Sequence, residues 1–331
     1  MEKEKYIPPF EITNEIVNLV SNISHELGKV SSFQGVSKLP HLRKTNRIRS
    51  VHSSLVIEGN TLSIDETKAI LNGKTVSAPK EDILAVQNAY EAYREAPKVD
   101  LFNIKSILDI HKIMMNGLID SAGSFRKGDV GVFDGDTPVH IAPPQQNISW
   151  LIGDLLEWTK TADVNPLIKY AVFHYEFEYI HPFSDGNGRM GRLWHTRLLS
   201  LYDEFFSFLP IESIIEERQE EYYNAFRLSN SDSKSTHFIV FILKVILDAI
   251  CNTTLDVENE LRNVNYSVYS LLDVMGNSTL SAKELMAKMG LKSLLSFKKN
   301  YLIPAIEQNL ISLTEPNKPT SRNQRYFKTK S

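Results

Sequence analysis

The sequence contains a single cysteine, Cys251, among 331 residues, so no disulfide can form within one chain. This favours a reducing compartment, and we expect a cytoplasmic protein. The first residues, MEKEKYIPPFEIT, lack the apolar stretch of a secretory signal peptide. The longest apolar run, at 238–251, is shorter than a membrane span and contains Lys244 and Asp248. We therefore expect a buried helix there and no membrane association.

The sequence also has no large excess of positive or negative charge. Its formal net charge is −3, which selects no partner for the whole chain. The charges are nevertheless distributed unevenly. Residues 283–331 hold ten Lys or Arg and three Asp or Glu, a net charge of +7, which leaves −10 for the remainder. Such a segment indicates either a separate module that contacts nucleic acid or a protein partner, or a solvated basic tail.

Helical periodicity dominates the chain and predicts a mainly α fold. Thr13 is a candidate N-cap for a first helix, and a second helix at 46–60 ends at the C-cap signal Gly59-Asn60. Near 129–144, β-branched residues on both sides of Asp134-Gly135 predict a short hairpin. Further helices are predicted at 80–95, 103–118, 145–161, 166–180, 188–201, 217–229 and 237–262.

The character of the chain changes near residue 263, where short helices follow one another closely. A turn-rich segment, TEPNKPTSRNQ, then leads to a final strand-like RYFKT. Helix, turn, two helices and a small β-wing predict a winged-helix-like module. We therefore divide the chain into a helical extension at 1–100, a core at 101–262 and a winged-helix-like basic module at 263–331.

The segment EYIHPFSDGNGRMGRLW, at 178–194, concentrates groups that suit phosphate chemistry. A proline ends the preceding helix, and the glycine-rich turn presents backbone N–H groups at the start of the next helix, where anions bind. Arg189 and Arg192 lie three residues apart and can project over this turn. Asp185 offers a hard oxygen for Mg²⁺ beside phosphates, and His181 is a base that can accept a hydroxyl proton.

This segment resembles the motif of the Fic family, His-Pro-Phe-x-Asp-Gly-Asn-Gly-Arg-x-x-Arg, at every fixed position. Those positions are His181, Pro182, Phe183, Asp185, Gly186, Asn187, Gly188, Arg189 and Arg192. Residues 125–144 match the hairpin flap of the family, which docks a target segment as an added strand. Residues 220–230 are similar to the part of the family that lies beside the nucleotide base, which implies that Tyr223 and Asn230 lie there.

The resemblance implies a protein adenylyltransferase, an enzyme that transfers AMP from ATP to a Ser, Thr or Tyr hydroxyl of a protein. ATP and Mg²⁺ are the implied cofactors. The implied partner is a protein substrate, with self-modification and a homodimer left open. The implied general base is His181, and the implied Mg²⁺ ligand is Asp185. The implied phosphate-binding residues are Gly186, Asn187, Gly188, Arg189 and Arg192.

A second motif lies earlier in the chain, in SSLVIEGN at 53–60. In the Fic family a helix that carries Ser/Thr-x-x-x-Glu-Gly/Asn inhibits the enzyme, and Ser54 with Glu58 matches this pattern. The resemblance implies that Glu58 pairs with Arg192, the arginine expected at the γ-phosphate, and so prevents productive ATP binding. Without the first motif, Ser54 and Glu58 would be assigned to a solvated helix face.

Several alternatives stay open. The same site could remove AMP from a modified protein, with Glu58 activating water, or it could transfer another nucleotide. The basic module could carry the main function, in a regulator that binds DNA and senses nucleotide. A metal-dependent hydrolase built on His174, His181 and Asp185 is disfavoured, because the sequence has no His-x-x-x-His or Cys-x-x-Cys pair to complete the ligands.

Overall fold

The computed structural model of the protein describes residues 5–32, 40–134, 137–319 and 321–329. The chain divides into two compact units, Met1–Asn252 and Thr253–Ser331. The division between the units falls about ten residues before the predicted start of the basic module at 263. The three-part division into extension, core and module stays a prediction.

The fold is mainly helical, as the periodicity predicts, and eleven helices begin in the first unit among the described residues. The first five are α1 Asn14–Ser32, α2 Pro40–Val56, α3 Ile64–Leu71, α4 Lys80–Glu95 and α5 Ile104–Met114. After a β-hairpin follow α6 Ile148–Thr161, α7 Pro166–Ile180, α8 Asn187–Tyr202, α9 Ile211–Glu217, α10 Gln219–Asp232 and α11 Thr236–Met275. Helices α3 and α9 were not predicted from the sequence.

The ends of the early helices follow local side-chain chemistry. Thr13 Oγ1 accepts a hydrogen bond of 3.3 Å from the Ile16 N–H, which confirms the predicted N-cap of α1. Beyond α2, Gly59 has a positive φ of 89°, and the chain reverses there as the C-cap signal predicts. Helix α3 starts with a capping box, in which Ser63 and Glu66 bond each other's backbone N–H.

Helix α7 lies at the centre of the first unit and is buried on all sides. Val172, Phe173 and Phe177 are fully buried, so this helix shows no polar face. It packs along α8, whose Trp194 is also fully buried and donates a 3.0 Å hydrogen bond to the Leu101 carbonyl. The two helices are joined by the glycine-rich segment, which is therefore held at both ends by the core.

Helix α11 contains the apolar run and extends it in both directions. The Thr236–Leu255 part is 20 residues long with a mean hydropathy of 2.0, so by length and composition it could cross a membrane. In the described part of the chain it is the one helix that meets this test. However, 61% of this stretch is buried inside the protein, including Phe238 and Ile242, which confirms the expected buried helix.

The predicted hairpin is present, with β1 at Gly131–Asp134 and β2 at Thr137–Ile141 in antiparallel pairing. The turn at 135–136 lies outside the described residues. Pairing runs from Gly131 with Ile141 to Asp134 with Thr137, with an irregularity that shifts the register between Val132 and Phe133. At the base, the Ala142 N–H donates to the Val130 carbonyl at 3.1 Å. The hairpin thus closes just before α6.

The second unit contains the end of α11, three short helices and a small sheet. These are α12 Ala282–Lys288, α13 Leu294–Phe297, α14 Ile303–Glu307, β3 Leu280–Ser281, β4 Ile311–Leu313 and β5 Arg325–Lys328. The strands form an antiparallel sheet in the order β3-β5-β4. Short helices and a final strand are present as predicted, whereas β3 and a third short helix after α11 were not predicted, and the assignment to the winged-helix class stays a prediction.

We predict that residues 263–331 fold on their own. Every buried residue of the hydrophobic cluster in this unit, from Val268 to Tyr326, lies within that fragment. Phe297 is fully buried at its centre, and Phe297→Ala should cost about 3–5 kcal/mol, enough to unfold so short a domain. Phe327→Ala, at a ring that is 37% exposed, is the matched control and should cost under about 1 kcal/mol.

Thermal unfolding followed by circular dichroism tests this prediction. The isolated fragment should show one cooperative transition, which the first substitution removes and the second preserves. A fragment without a cooperative transition would mean that its core depends on the first unit.

Candidate active site

His181 ends α7 in an unusual backbone conformation. Its φ of 51° and ψ of 61° lie in the left-handed region, which is uncommon for a residue other than glycine. Its N–H still donates to the Phe177 carbonyl at 3.0 Å, so His181 is the first residue beyond the helix. Nδ1 lies 3.3 Å from the Glu178 carbonyl oxygen. In the tautomer that donates here, Nε2 carries the lone pair and is the atom that can accept a proton.

The segment between α7 and α8 is locked by the side chain of Asn187. Its Oδ1 accepts from the Phe183 N–H at 2.8 Å, and its Nδ2 donates to the Phe183 carbonyl at 2.9 Å. Phe183 is fully buried and stacks on His111 with ring centroids 3.6 Å apart. The sequence predicted a backbone role for Asn187, and the structure adds that its side chain fixes the loop.

The start of α8 presents the predicted group of backbone donors. Gly186 precedes the helix with a φ of 84°, and a Cβ there would lie 2.7 Å from Met115 Sδ, so only glycine fits. The first bond within the helix is from the Met190 N–H to the Gly186 carbonyl at 3.0 Å. The N–H groups of Asn187, Gly188 and Arg189 therefore have no partner inside the helix and can bind an anion.

Asp185 and Arg189 face each other across this turn. Arg189 Nη2 donates to Asp185 Oδ1 at 2.9 Å. Within the described part of the chain, Nε of Arg189 is buried without a hydrogen-bond partner. This buried N–H group lacks an acceptor, and a phosphate oxygen would supply one.

The donor set fits a Mg²⁺ ion that arrives with a nucleotide. The Asp185 side chain is 50% exposed, so its carboxylate can reach a ligand. Among the described residues, no three His, Cys, Asp or Glu side chains are close enough to hold a metal. Mg²⁺ is commonly held by one or two carboxylates together with substrate phosphates, and one carboxylate beside a phosphate-binding turn meets that description.

Arg192 is buried and directed towards α2. Its side chain is 2% exposed, and Nη2 donates to Glu58 Oε1 at 2.7 Å and to the Ser54 carbonyl at 3.0 Å. Nε donates to Ser54 Oγ at 3.1 Å. The predicted contact between Glu58 and Arg192 is therefore present, and Ser54 supports it. Burial alone would lower the pKa of Arg192, but Glu58, Tyr222 and Glu178 together raise it above its usual range.

The Glu58 carboxylate also lies over the first turn of α8. A Cβ placed on Gly188 would collide with Glu58 Oε1 and would lie 2.9 Å from Arg192 Nη1. The carboxylate thus occupies the space beside the backbone donors where an anion would bind. An anion bound to these backbone donors would therefore meet the Glu58 carboxylate.

A buried carboxylate that the sequence analysis missed sets the register of α2. Glu212, on α9, is fully buried and accepts from Ser50 Oγ at 2.6 Å, Tyr93 OH at 2.9 Å and Thr196 Oγ1 at 3.1 Å. These hydroxyls come from α2, α4 and α8. The network holds α2 against α8, so that Glu58 meets Arg192. No local motif marks Glu212, because its partners are distant in sequence.

The two residues predicted beside the nucleotide base lie seven positions apart on α10, on one face of the helix. Asn230 Oδ1 accepts from Tyr175 OH at 2.7 Å, and Asn230 lines a cavity of about 330 Å³. Tyr6 and Ile180 also line it, which places the cavity beside the end of α7. Tyr223 is 52% exposed and does not line this cavity. Their role at the base stays a prediction.

The histidine of the metal-hydrolase alternative is a core residue. His174 is fully buried, its Nε2 lies 3.2 Å from Tyr222 OH, and burial lowers its pKa well below the usual value. His174 is therefore neutral, and its Nε2 already has a hydrogen-bond partner in the core. The described residues do not bring it into a metal-binding group with His181 and Asp185.

His111 is a further residue that the sequence analysis left without a role. It is fully buried, and its Nδ1 accepts from the Gly123 N–H at 2.9 Å. The proton must then sit on Nε2, which donates to the Asp185 carbonyl at 3.0 Å. Burial lowers the pKa of His111 to about 4. A neutral histidine thus holds the Asp185 backbone in place.

This arrangement predicts a pH dependence of stability. The usual pKa of 6.5 applies to the unfolded chain, so between pH 6.5 and about 4 unfolding takes up a proton at His111. Stability therefore falls as the pH falls through this window. His111→Gln retains a donor for Asp185 but does not titrate, so the stability of the wild type relative to this variant should decline by up to about 3 kcal/mol.

Urea unfolding of both proteins at about pH 7 and about pH 4.5 measures this decline. The other buried histidines are common to the two proteins and cancel in the difference. If the free energies of unfolding of the two proteins changed in parallel with pH, His111 would have the same pKa in the folded and unfolded states, and the prediction would be wrong.

Comparisons with known proteins agree with this geometry. Residues 101–199 match the Fic/DOC family, and residues 266–329 match the family described as Filamentation induced by cAMP protein Fic-like, C-terminal domain. Among curated proteins, the protein adenylyltransferase Fic of Aedes aegypti is 32% identical over 206 residues, 58% of this chain. The same protein of Drosophila melanogaster is 29% identical over 205 residues. This chain covers 39% of the length of either relative.

Solved structures extend the likeness over both units. A Fic family protein from Desulfovibrio desulfuricans G20 is 38% identical, with a TM-score of 0.73 over 98% of this chain and 99% of that one. Fic-1 from C. elegans shares the fold at 20% identity, with a TM-score of 0.61 over 74% of this chain and 72% of that one. With 38% identity to a solved Fic protein along nearly its full length, this chain belongs to the Fic family.

Proposed function

We propose that this protein transfers AMP from ATP to hydroxyl groups of proteins, and that it does so slowly while Glu58 holds Arg192. One observation carries the proposal: a histidine stands at the end of α7, directly before a helix start that presents backbone donors and two arginines. The names of the Aedes and Drosophila relatives support the same reaction.

Each residue of the site has a separate role in the proposed reaction. Nε2 of His181 accepts the proton of the target hydroxyl, whose oxygen then attacks the α-phosphorus of ATP. The bond to pyrophosphate breaks, AMP stays on the target, and pyrophosphate and one proton leave. The N–H groups of Asn187 and Gly188 stabilise phosphate charge, together with Arg189. Arg192 binds the γ-phosphate once Glu58 has left.

Asp185 is the residue that would hold Mg²⁺, which neutralises phosphate charge when it is bound. Its backbone is fixed by His111 and its carboxylate is steadied by Arg189. The metal-binding oxygen is thereby held in a defined position before the nucleotide arrives.

The hairpin is suited to bind the target. In the described sheets, β1 pairs only with β2, so a strand edge is available for an extended peptide. Main-chain hydrogen bonds to such an edge would hold the hydroxyl near His181 with little dependence on the target sequence. The target could be another protein or a second copy of this chain.

Removal of AMP is a second candidate for the same site. The Glu58 carboxylate lies beside Gly188, and its side chain is 28% exposed, so it could activate a water molecule close to a bound phosphate. Incubation of an AMP-modified protein with the wild type and with Glu58→Gln separates the two directions, since only removal needs the carboxylate.

The second unit is proposed as the site of a further partner, in a cytoplasmic protein. Its basic bias supports contact with nucleic acid or with an acidic protein. Binding of residues 263–331 to a generic DNA duplex at two salt concentrations tests this, because electrostatic binding weakens steeply with salt.

The first prediction about activity concerns His181. In a Glu58→Gly background, His181→Ala should reduce AMP transfer by about 10²–10⁴-fold, because the hydroxyl loses its base. His237→Ala is the matched control, since His237 pairs with Asp232 at the surface and should leave the rate unchanged. Transfer of label to protein from ATP labelled at the α-phosphate, with γ-labelled ATP in parallel, checks this result. Label that comes only from the γ-phosphate would instead identify a kinase.

The second prediction about activity concerns Glu58. Removing its charge leaves the buried Arg192 without a counter-charge, which costs up to about 3–5 kcal/mol for a fully buried pair and less here, since Glu58 is 28% exposed. Phosphate replaces the carboxylate, so Glu58→Gln should transfer AMP faster. It should also gain more stability from Mg-ATP, about 2.7 kcal/mol at roughly 100-fold excess over Kd.

Melting temperatures and transfer rates with and without Mg-ATP measure both effects. Glu81→Gln, at an exposed residue in the first turn of α4, is the matched control and should behave as the wild type. Equal rates and equal ATP-induced shifts for wild type and Glu58→Gln would remove the inhibitory role.

A further inference from the structure

Arg126 is a buried cation at the base of the hairpin. Its side chain is 1% exposed, and its ion-pair partner, Asp129, is 3.8 Å away and mostly exposed. Burial lowers the pKa of the Arg126 guanidinium, which nevertheless stays charged at any ordinary pH. Backbone carbonyl groups, not a buried carboxylate, therefore carry most of the compensation for this charge.

Part of the guanidinium holds the two ends of the hairpin together. Nη1 donates to the Gly128 carbonyl at 2.6 Å, before β1 begins. Nη2 donates to the Pro143 carbonyl at 2.5 Å, after β2 has ended. Asp129 adds a parallel link, since its Oδ1 accepts from the Gln145 N–H at 2.9 Å. The hairpin therefore leaves the body of the protein from a fixed base.

The rest of the same residue holds the end of α7. Nε donates to the His181 carbonyl at 2.8 Å, and Nη2 lies 3.4 Å from the Ile180 carbonyl. The Arg126 backbone N–H donates to the Pro182 carbonyl at 2.9 Å. Three consecutive carbonyl groups around His181 are thus bound by one residue.

These contacts matter most at His181 because its left-handed conformation is strained. Such a conformation persists only where surrounding groups determine it. The direction of the His181 carbonyl sets the peptide plane between His181 and Pro182. If that plane were free to rotate about the Cα–C bond of His181, the segment that follows would turn relative to the imidazole.

We infer that Arg126 is a positioning residue that sets the distance between the general base and the peptide-binding hairpin. The inference rests on the proposed function, in which the hairpin binds the target and His181 accepts its proton. The hairpin and His181 are both bonded to the guanidinium of Arg126. The distance between the target hydroxyl and Nε2 of His181 is therefore kept when a target binds.

Only arginine suits this position. The carbonyl groups that Arg126 binds belong to both ends of the hairpin and to the end of α7. A guanidinium can reach all of them, because it supplies five N–H donors in a fixed planar arrangement. A lysine ammonium can reach one group of carbonyls but cannot bond the hairpin ends and His181 together.

The test compares Arg126→Lys and Arg126→Met in the Glu58→Gly background. Misplacement of a reacting group by about 1 Å costs on the order of 10²-fold, so kcat should fall by about that factor. The KM for ATP should change less than about 3-fold, because the phosphates bind α8, and the KM for the protein target should rise. The midpoint of the acid limb of the pH–kcat profile should also shift, which a loss of stability alone would not cause.

Arg197→Lys is the matched control. Arg197 is half-buried on α8 and donates to Ser200 Oγ at 2.6 Å, so its replacement should lower stability without these kinetic changes. A folded Arg126→Lys variant with kcat within about 2-fold of its parent would overturn the inference.

Amide hydrogen exchange on the unmodified protein provides the second arm. Peptides covering 126–130, 142–147 and 178–183 should open together at one rate, because one residue joins them. Independent exchange of the hairpin base and the end of α7 would overturn the inference even if both Arg126 variants failed to fold. Absence of AMP transfer in the Glu58→Gly parent would reject the proposed function. The exchange result would then decide whether Arg126 joins the base of the hairpin to the end of α7.

Discussion

The buried guanidinium of Arg192 pairs with a carboxylate, and this contact governs the site. With 2% of its side chain exposed, Arg192 is screened from water, and an anion beside it offsets the cost of burying its charge. In the described structure the carboxylate of Glu58 fills that place. The same contact compensates a buried charge and places a carboxylate beside the backbone donors of α8, so under the proposed function one interaction serves both folding and inhibition.

Other buried polar groups make this contact possible by fixing the elements around it. Glu212 binds three hydroxyl groups and holds α2 against α8, while Asn187 and His111 lock the loop between α7 and α8. The partners of Glu212 and His111 are distant in sequence, whereas Asn187 bonds the backbone of Phe183 four residues earlier. The loop therefore has its shape before any ligand binds, which is what electrostatic stabilisation of a reacting phosphate requires.

Features that depend on neighbouring residues could be predicted from the sequence. The hairpin, the caps at Thr13 and Gly59 and the glycine-rich turn before α8 were predicted from local patterns, and the family motif identified the partner of Glu58. Helix α3 was missed although its Ser63–Glu66 capping box is visible in the sequence. The roles of Glu212, His111 and Arg126 could not be predicted, because burial and distant partners define them. The unit boundary lies within the continuous helix α11, where no break in sequence marks it.

The position of Glu58 in the same chain as Arg192 has a consequence for how the proposed inhibition responds to its surroundings. A tethered carboxylate acts at a fixed effective concentration, which does not depend on how much protein the cell contains. Dilution therefore cannot release it, unlike an inhibitor carried on a separate chain. Under the proposed function, release of Arg192 needs a movement of the turn that carries Glu58, where Gly59 at a φ of 89° allows the backbone to reverse immediately after the carboxylate.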